Sequence, residues 1–340
     1  MNTNLNTLEF ILKNYKNFNS RATKDATIAY WRHTEKGGKM FWAMGGAMSS
    51  AQMGITIAPA IRAGLISGMS VTGANLEESL FRLVAHNSYK DFPDYRYFTK
   101  EDDTKILEDR MRRVTDTSIP EDEAFRVVEK VIVPTWKKAT EDKTRKFWHE
   151  YFYDLIKGIE KDKHEGKAEE CWLLAAAENN IPIVVPGYED STFGNIFASY
   201  VKNNECSANI VKSGIEYMGA FYDQYQELSK GEGVGFFQIG GGISGDFPIC
   251  VVPSLKYDMQ IDNVKPWAYF CQISDSTTSY GSYSGATPNE KITWDKLTKE
   301  TPMFVIESDA TIVSPLMLTA LLECKNNPAE ANKLIEKYTA

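Results

Sequence analysis

The stretch VGFFQIGGG, residues 234–242, joins a nearly continuous apolar run to three glycines that follow it directly. A strand that is buried on both faces of a sheet has this composition, because neither face contacts water. Two later stretches, WAYFCQI at 267–273 and MFVIE at 303–307, have the same character. Together they predict a mainly parallel central sheet with helices on both faces.

Strands and helical segments alternate along the chain, which is typical of a Rossmann-like α/β fold. Further strands are predicted at 39–43, 68–71 and 181–185. Apolar spacing predicts helices at 7–16, 22–35, 51–66, 76–86, 121–160, 168–179, 194–203, 210–229 and 312–322, and a proline-interrupted helical stretch after 242. Residues 89–119 are charged and are predicted to be irregular. We expect one domain over 1–340, with extra N-terminal and middle helices and a largely helical excursion at about 89–178.

The charge of the chain excludes some partners. Its 340 residues include 38 Lys and Arg against 46 Asp and Glu, so the formal charge is −8. Proteins that bind the nucleic-acid backbone carry basic patches, so no nucleic-acid partner is expected. The uncharged stretch 40–61 has the length of a membrane span. Its Gly, Ser, Ala and Met content favours a buried loop and helix instead, so no membrane partner is expected.

The cysteines and the N-terminal residues favour a cytoplasmic location. Five cysteines without a CxxC pair speak against a disulfide framework or a zinc cluster and favour reduced thiols. The first residues lack the basic and apolar regions of a signal peptide. The histidines lack HxH or HExxH spacing, so no metal site is predicted. His149 and His164 lie in charged helical runs and are expected at the surface.

Small and acidic residues follow the predicted strands, and in a parallel sheet these positions meet at one edge. They are 72–75, 186–190, 240–242, 274–275 and 308–310. Small residues allow a ligand to approach the backbone, and carboxylates can bind ribose hydroxyls or amines. The pattern indicates a nucleotide-type pocket at this edge.

Three motifs each allow a functional and a structural interpretation. Residues 240–245 fit GxGxxG after a strand, so they either contact a pyrophosphate or form only a tight turn. Lys296, close to Trp294, is either a partly desolvated nucleophile or an ordinary solvated lysine. Glu77 and Glu78 either favour a helix N-terminus through its dipole or serve a function.

An ordered series of segments in this chain resembles the deoxyhypusine synthase family, most strongly from about 180 to 322 and more weakly over 38–86. The closest matches are GSYSGATPNEKITWDK at 281–296 and VIESDATIVSPL at 305–316. Two shorter patterns occur in the expected order with the glycine triplet: T-G-x-x-x-E-E at 72–78 and P-x-x-x-D-S-x-x-G at 186–194. Such a series is much more specific than any one of its parts.

The resemblance implies a parallel α/β homotetramer that binds NAD⁺ near a subunit interface. In that family NAD⁺ takes a hydride from the carbon beside an amine of spermidine, and a lysine holds the butylamine unit as a Schiff base. An acceptor amine then attacks, and the hydride returns. The acceptor is a lysine of a translation factor in deoxyhypusine synthase and putrescine in homospermidine synthases. For this chain the resemblance therefore implies NAD as cofactor and a small cationic amine as substrate.

Several residues can be carried over by position. Lys296 matches the Schiff-base lysine, Trp294 the tryptophan that walls the polyamine channel, and Glu290 a carboxylate that binds a substrate amine. Ten positions match the lining of the cofactor pocket: Gly46, Ala47, Thr72, Gly73, Glu78, Asp190, Gly241, Gly242, Asp309 and Ala310.

Other substrate positions depart from the family pattern. Asp246 stands where the family has a histidine that assists proton transfer. Tyr280 and Tyr283 replace two aspartates, and Asn195 replaces a third. Tyrosine rings can offer their faces to an ammonium or a guanidinium group. We therefore expect an altered donor or acceptor, such as putrescine, spermidine or agmatine.

Three functions remain open. The first is an NAD-dependent alkylamine transferase that moves an aminobutyl or guanidinobutyl unit through a lysine Schiff base. The second is a true deoxyhypusine synthase with a protein acceptor. The third is a paralogue that binds NAD or a polyamine without turnover. The changed histidine and aspartates favour the third function, whereas the retained Lys296, Trp294 and Glu290 oppose it.

Overall fold

The computed structural model describes residues 5–279 and 281–339, and Tyr280 lies outside the described residues. At its centre is a six-stranded sheet in which every neighbouring pair is parallel. A second sheet of three short strands is antiparallel. In chain order the strands are β1 (Lys39–Met44), β2 (Gly68–Val71), β3 (Lys90–Asp91), β4 (Met111–Val114), β5 (Thr117–Pro120), β6 (Ile183–Val184), β7 (Val234–Ile239), β8 (Tyr269–Ser274) and β9 (Met303–Glu307).

Helices flank the large sheet, which confirms the predicted Rossmann-like α/β class. In the described residues they are α1 (Asn6–Asn14), α2 (Phe18–Glu35), α3 (Gly54–Arg62), α4 (Gly73–Val84), α5 (Lys100–Glu108), α6 (Val127–Asp142), α7 (Trp148–Gly158), α8 (Trp172–Glu178), α9 (Thr192–Lys202), α10 (Gly214–Leu228), α11 (Ile243–Ile249), α12 (Val251–Pro253), α13 (Glu290–Thr293), α14 (Ala310–Asn326) and α15 (Pro328–Thr339). None of these helices is both long and apolar enough to cross a membrane.

The strand order of the large sheet is β6-β2-β1-β7-β8-β9. All residues of β2, β7 and β8 are buried, as a sheet covered on both faces requires. Aromatic side chains fill the layers above and below it; the Trp42 and Phe237 rings, for example, stack with centroids 4.2 Å apart. Because all six strands run the same way, their carboxyl ends share one edge, where such folds place ligands.

The helical prediction was wrong in several places. The helix predicted at 51–66 spans only Gly54–Arg62, because the residues before it form turns. The predicted helix over 121–160 is interrupted at Lys143, whose left-handed φ of 55° ends α6.

Residues 89–119 are not irregular, as predicted from the sequence, but contain α5 and the strands of the small sheet. These strands have only two to four residues, too few to produce a readable period of two.

His149 is not at the surface, contrary to expectation. It is buried in α7, and its Nδ1 lies 2.9 Å from the Tyr217 hydroxyl. His164 is half-buried. The surrounding charged residues misled the prediction, because the buried face of α7 is made by Trp148, Phe152 and their neighbours. Burial lowers the pKa of His149 from 6.5 to about 3.

This buried histidine should make the fold sensitive to acid. Between about pH 3 and 6.5 the unfolded chain binds a proton that folded His149 does not, so stability falls as the pH drops through that window. We expect the stability loss between pH 7 and pH 5 to be roughly 2 kcal/mol smaller in His149→Gln than in the wild type. Urea titrations at both pH values measure it. His86→Gln, at an exposed position, serves as the control. If the stability of His149→Gln depends on pH as that of the wild type does, His149 is not the source of the acid sensitivity.

Candidate active site

A cavity of about 910 Å³ lies next to the glycine turn that follows β7. An added Cβ on Gly241 in that turn would come 2.6 Å from the Ser284 Oγ, so the turn and the 281–285 loop are in direct contact. Five residues that the sequence singled out line this one cavity: Asp246, Tyr283, Glu290, Trp294 and Lys296. Asn195 is not among the lining residues; its side chain donates to the backbone carbonyls of Glu189 and Ser191.

The backbone around Lys296 holds its side chain inside the cavity wall. The Lys296 N–H donates to the Lys291 carbonyl (3.0 Å), and the Trp267 N–H donates to the Lys296 carbonyl (3.1 Å). Lys296 is therefore tied both to α13 and to the segment that enters β8. The residue is only 7% exposed, whereas Trp294, two positions earlier, is 66% exposed. Lys296 is thus enclosed, and Trp294 stands at the rim.

Asp295 fixes the turn between these two residues. Its φ of 59° is left-handed, which a non-glycine residue adopts only when the surroundings hold it. The Asp295 carboxylate accepts hydrogen bonds from the Lys256 ammonium and from the Tyr257 hydroxyl (2.6 Å). These bonds lower the pKa of Asp295, so it stays ionised and keeps the turn in place.

Asp246 is the carboxylate that faces Lys296. It lies on α11, directly after the glycine turn, and its Oδ1 is 3.6 Å from the Lys296 Nζ. The Cys250 Sγ is 3.7 Å from the same oxygen, and burial raises the pKa of this thiol. Asp246 therefore links the glycine turn to the amine and can accept a proton from a group in the cavity.

Aromatic rings complete the surroundings of Lys296. Its Nζ lies 5.6 Å from the centre of the Trp294 ring and 6.0 Å from that of Tyr283. Tyr283 packs on Gly245, where an added Cβ would come 2.8 Å from its Cε1. Burial raises the pKa of Tyr283 well above its usual value, and its hydroxyl has no hydrogen-bond partner among the described residues. Ring faces near an amine suit a cationic ligand.

Lys291 is a second amine in this site, and sequence reasoning missed it. It is 3% exposed and also lines the cavity. Its Nζ lies 5.0 Å from the Phe270 ring centre and 4.9 Å from that of Tyr283, and it donates to the Ala286 carbonyl at 3.3 Å. Burial, together with the neighbouring Lys296, lowers the pKa of Lys291 to about 8. No periodicity or motif marks this lysine, because its burial depends on Phe270 of β8 as well as on Tyr283.

The residues predicted to line a cofactor pocket follow the strands at the shared carboxyl edge. Gly46 and Ala47 follow β1, Thr72 and Gly73 follow β2, Asp190 follows β6, Gly241 and Gly242 follow β7, and Asp309 and Ala310 follow β9. The residues that follow β1 and those that follow β2 are in contact, since the Thr72 Oγ1 donates to the Gly46 carbonyl at 3.0 Å. The β7 turn is also close, because an added Cβ on Gly45 would lie 3.2 Å from the Gly241 carbonyl oxygen.

The acidic residues of this edge already hold parts of the backbone. Glu78 is buried, and its carboxylate accepts hydrogen bonds from the Ser50 N–H (3.2 Å) and hydroxyl (2.7 Å). Asp309 caps α14 by accepting from the Thr311 N–H at 2.7 Å. Glu77 accepts from two backbone N–H groups at the start of α9. Glu77 and Glu78 therefore shape the edge from within α4.

Comparison with known proteins identifies the family. The family model described as deoxyhypusine synthase matches residues 11–321. The chain belongs to the deoxyhypusine synthase family. A "Deoxyhypusine synthase-like protein" from Nostoc punctiforme is 27% identical over 87% of this chain and 74% of its own length. A "Probable deoxyhypusine synthase" from Sulfurisphaera tokodaii is 26% identical over 77% and 75%.

One solved structure agrees with this family at the level of fold. The crystal structure of a candidate deoxyhypusine synthase from Entamoeba histolytica covers 90% of this chain and 88% of its own, with a TM-score of 0.52 and 11% identity. At that identity the likeness shows the fold alone. Membership of the family supports an aminobutyl-transferase type of function and an amine substrate.

Proposed function

We propose that this protein is an NAD-dependent alkylamine transferase that acts on a small polyamine or on agmatine through a Schiff base on Lys296. The observation that carries the proposal is the enclosed Lys296 amine, which faces a cavity together with Asp246 and the Trp294 ring. A buried lysine beside a carboxylate that can accept protons is equipped for imine formation.

The other side chains have matching roles in this proposal. Carboxylates of Asp246, Asp258 and Glu290 line the cavity and can bind the ammonium or guanidinium groups of the substrate. Trp294 and Tyr283 offer ring faces to the same cations. Asp246 accepts the proton that Lys296 loses when it attacks. It returns a proton to the Lys296 nitrogen when the acceptor amine bonds to the alkyl unit and displaces Lys296 from it.

The glycine turn after β7 fits the approach of a dinucleotide. Gly240 and Gly242 have φ values of 68° and 69°, and an added Cβ at either would meet no atom within 4 Å. Open space over these backbone groups allows phosphate oxygens to approach. NAD⁺, when bound there, supplies an acceptor for the hydride that leaves the carbon beside the donor amine. Gly46, Thr72 and Gly241 would contact it at the strand edge.

A protein acceptor defines the second candidate function. Trp294 is largely exposed at the rim, so an acceptor lysine on a partner protein could reach the cavity from outside. That reaction would label a translation-factor lysine from labelled spermidine and release no free secondary amine. A binding-only paralogue would give neither product.

A product assay distinguishes these functions. Purified protein is incubated with NAD⁺ and, separately, with agmatine, putrescine or spermidine, and small-molecule products are read by mass spectrometry. We expect a secondary amine with at least one donor, and its loss in Lys296→Ala. Lys299→Ala, which removes an exposed lysine three positions later, is the matched control and should keep activity. Product formation by Lys296→Ala would refute the proposal.

A further inference from the structure

Lys291 is an unpaired cation in the same wall as Lys296. Among the described residues, no carboxylate lies within ion-pair distance of its Nζ. Its contacts are the Ala286 carbonyl and the faces of the Phe270 and Tyr283 rings. At 3% exposure it is more enclosed than Lys296, so solvent screens its charge poorly.

The Lys291 and Lys296 amines both lie near the ring of Tyr283. Both Nζ atoms are placed over its ring, at 4.9 Å for Lys291 and 6.0 Å for Lys296. The chain between them is fixed by the hydrogen bond from the Lys296 N–H to the Lys291 carbonyl. Like charges in a poorly screened site disfavour each other's protonation.

We propose that the Lys291 ammonium is a positioning charge for Lys296: it repels the Lys296 proton and so enlarges the fraction of Lys296 that carries a free amine. The inference rests on the proposed function, because a free amine is what a Schiff base requires. Lys291 needs no contact with the substrate for this role.

Other charges act on the two lysines in the opposite direction. Asp246 attracts the Lys296 Nζ across 3.6 Å, but the Asp246 side chain is 52% exposed and solvent screens this attraction. Glu290 and Asp246 also raise the pKa of Lys291, yet burial and Lys296 outweigh them. Cys250 stays a neutral thiol, since burial raises its pKa. Of these charged groups, Lys291 is therefore the one whose charge solvent screens least.

Trace acetylation tests this inference without cofactor or substrate. Wild-type protein and variants are exposed to a small amount of acetic anhydride at several pH values, and acetylation of each lysine is read by peptide mass spectrometry. In Lys291→Met we expect Lys296 to be acetylated about tenfold more slowly near pH 7, because the repelling charge is gone. The difference should vanish well above pH 8, where Lys291 itself is neutral.

Two further variants keep the test decisive. Lys291→Arg retains a permanent cation and should leave Lys296 acetylation near pH 7 close to the wild-type rate. Lys299→Met removes an exposed lysine, 87% accessible at its side chain, and should change nothing. Methionine is an unbranched, flexible and apolar side chain, and the acetylation of distant lysines reports whether the fold is intact.

The outcomes separate this inference from the proposed function. An identical Lys296 pH profile in the wild type and in Lys291→Met overturns the role of Lys291, whatever the transferase assay gives. Absence of any product together with a shifted acetylation profile overturns the transferase proposal and leaves the coupling of the two amines standing.

Discussion

Lys296→Arg should abolish turnover, with a loss of at least about a thousandfold in product formation. Arginine keeps the positive charge opposite Asp246, so the ion pair and the local fold are retained. A guanidinium group does not lose its proton in proteins and cannot form the imine. The product assay measures the effect directly, because the variant removes the nucleophile while leaving the charge.

The control for this variant is Lys299→Arg, at an exposed position three residues later. It should keep both activity and melting temperature. A melting temperature for Lys296→Arg within a few degrees of the wild type shows that loss of product is a loss of chemistry. Retained turnover by a folded Lys296→Arg would exclude a Schiff base at this position.

Asp246→Asn should lower kcat/KM by about a hundredfold. The amide has the same shape but cannot take the proton of Lys296, and the 3.6 Å ion pair is lost. The resemblance to the family places Asp246 where the family has a histidine, and this variant tests the proposal that the Asp246 carboxylate acts as the proton acceptor. The expected signature is a fall in kcat near neutral pH, measured by steady-state kinetics over a range of pH.

Asp262→Asn removes an exposed carboxylate outside the cavity lining and serves as the control for the loss of one negative charge. Its kcat/KM should match the wild type. If Asp246→Asn changes kcat/KM by less than twofold, Asp246 is only a turn residue at the cavity wall. A rise in KM alone would assign it to binding the substrate cation.

The sheet was predictable because burial on both faces leaves a simple signature. β7 and β9 have the predicted bounds, and β8 lies within two residues of its predicted bounds, since continuous apolar runs end where the strands end. β6 is shorter than its apolar run, because only Ile183 and Val184 pair with β2. Helix ends were less predictable: the apolar period continues past Lys143, where the backbone turns left-handed.

The site was predictable in part, through residues that lie together in sequence. Tyr283, Glu290, Trp294 and Lys296 belong to one motif, and the structure brings Asp246 to them from the glycine turn. Lys291 sits inside the same motif but gave no signal, because its burial depends on Phe270 and on the turn at Ala286. Charge and spacing describe a residue's neighbours along the chain, whereas burial of an amine depends on neighbours in space.

Borohydride trapping tests the central claim most directly. Protein, NAD⁺ and the amine donor are mixed, the reaction is quenched with borohydride, and the added mass is located by peptide mass spectrometry. The account predicts one alkylamine adduct on Lys296, dependent on NAD⁺ and on the donor, and its absence in Lys296→Arg. An adduct on another residue, or product formation with no trapped adduct on Lys296, would contradict it.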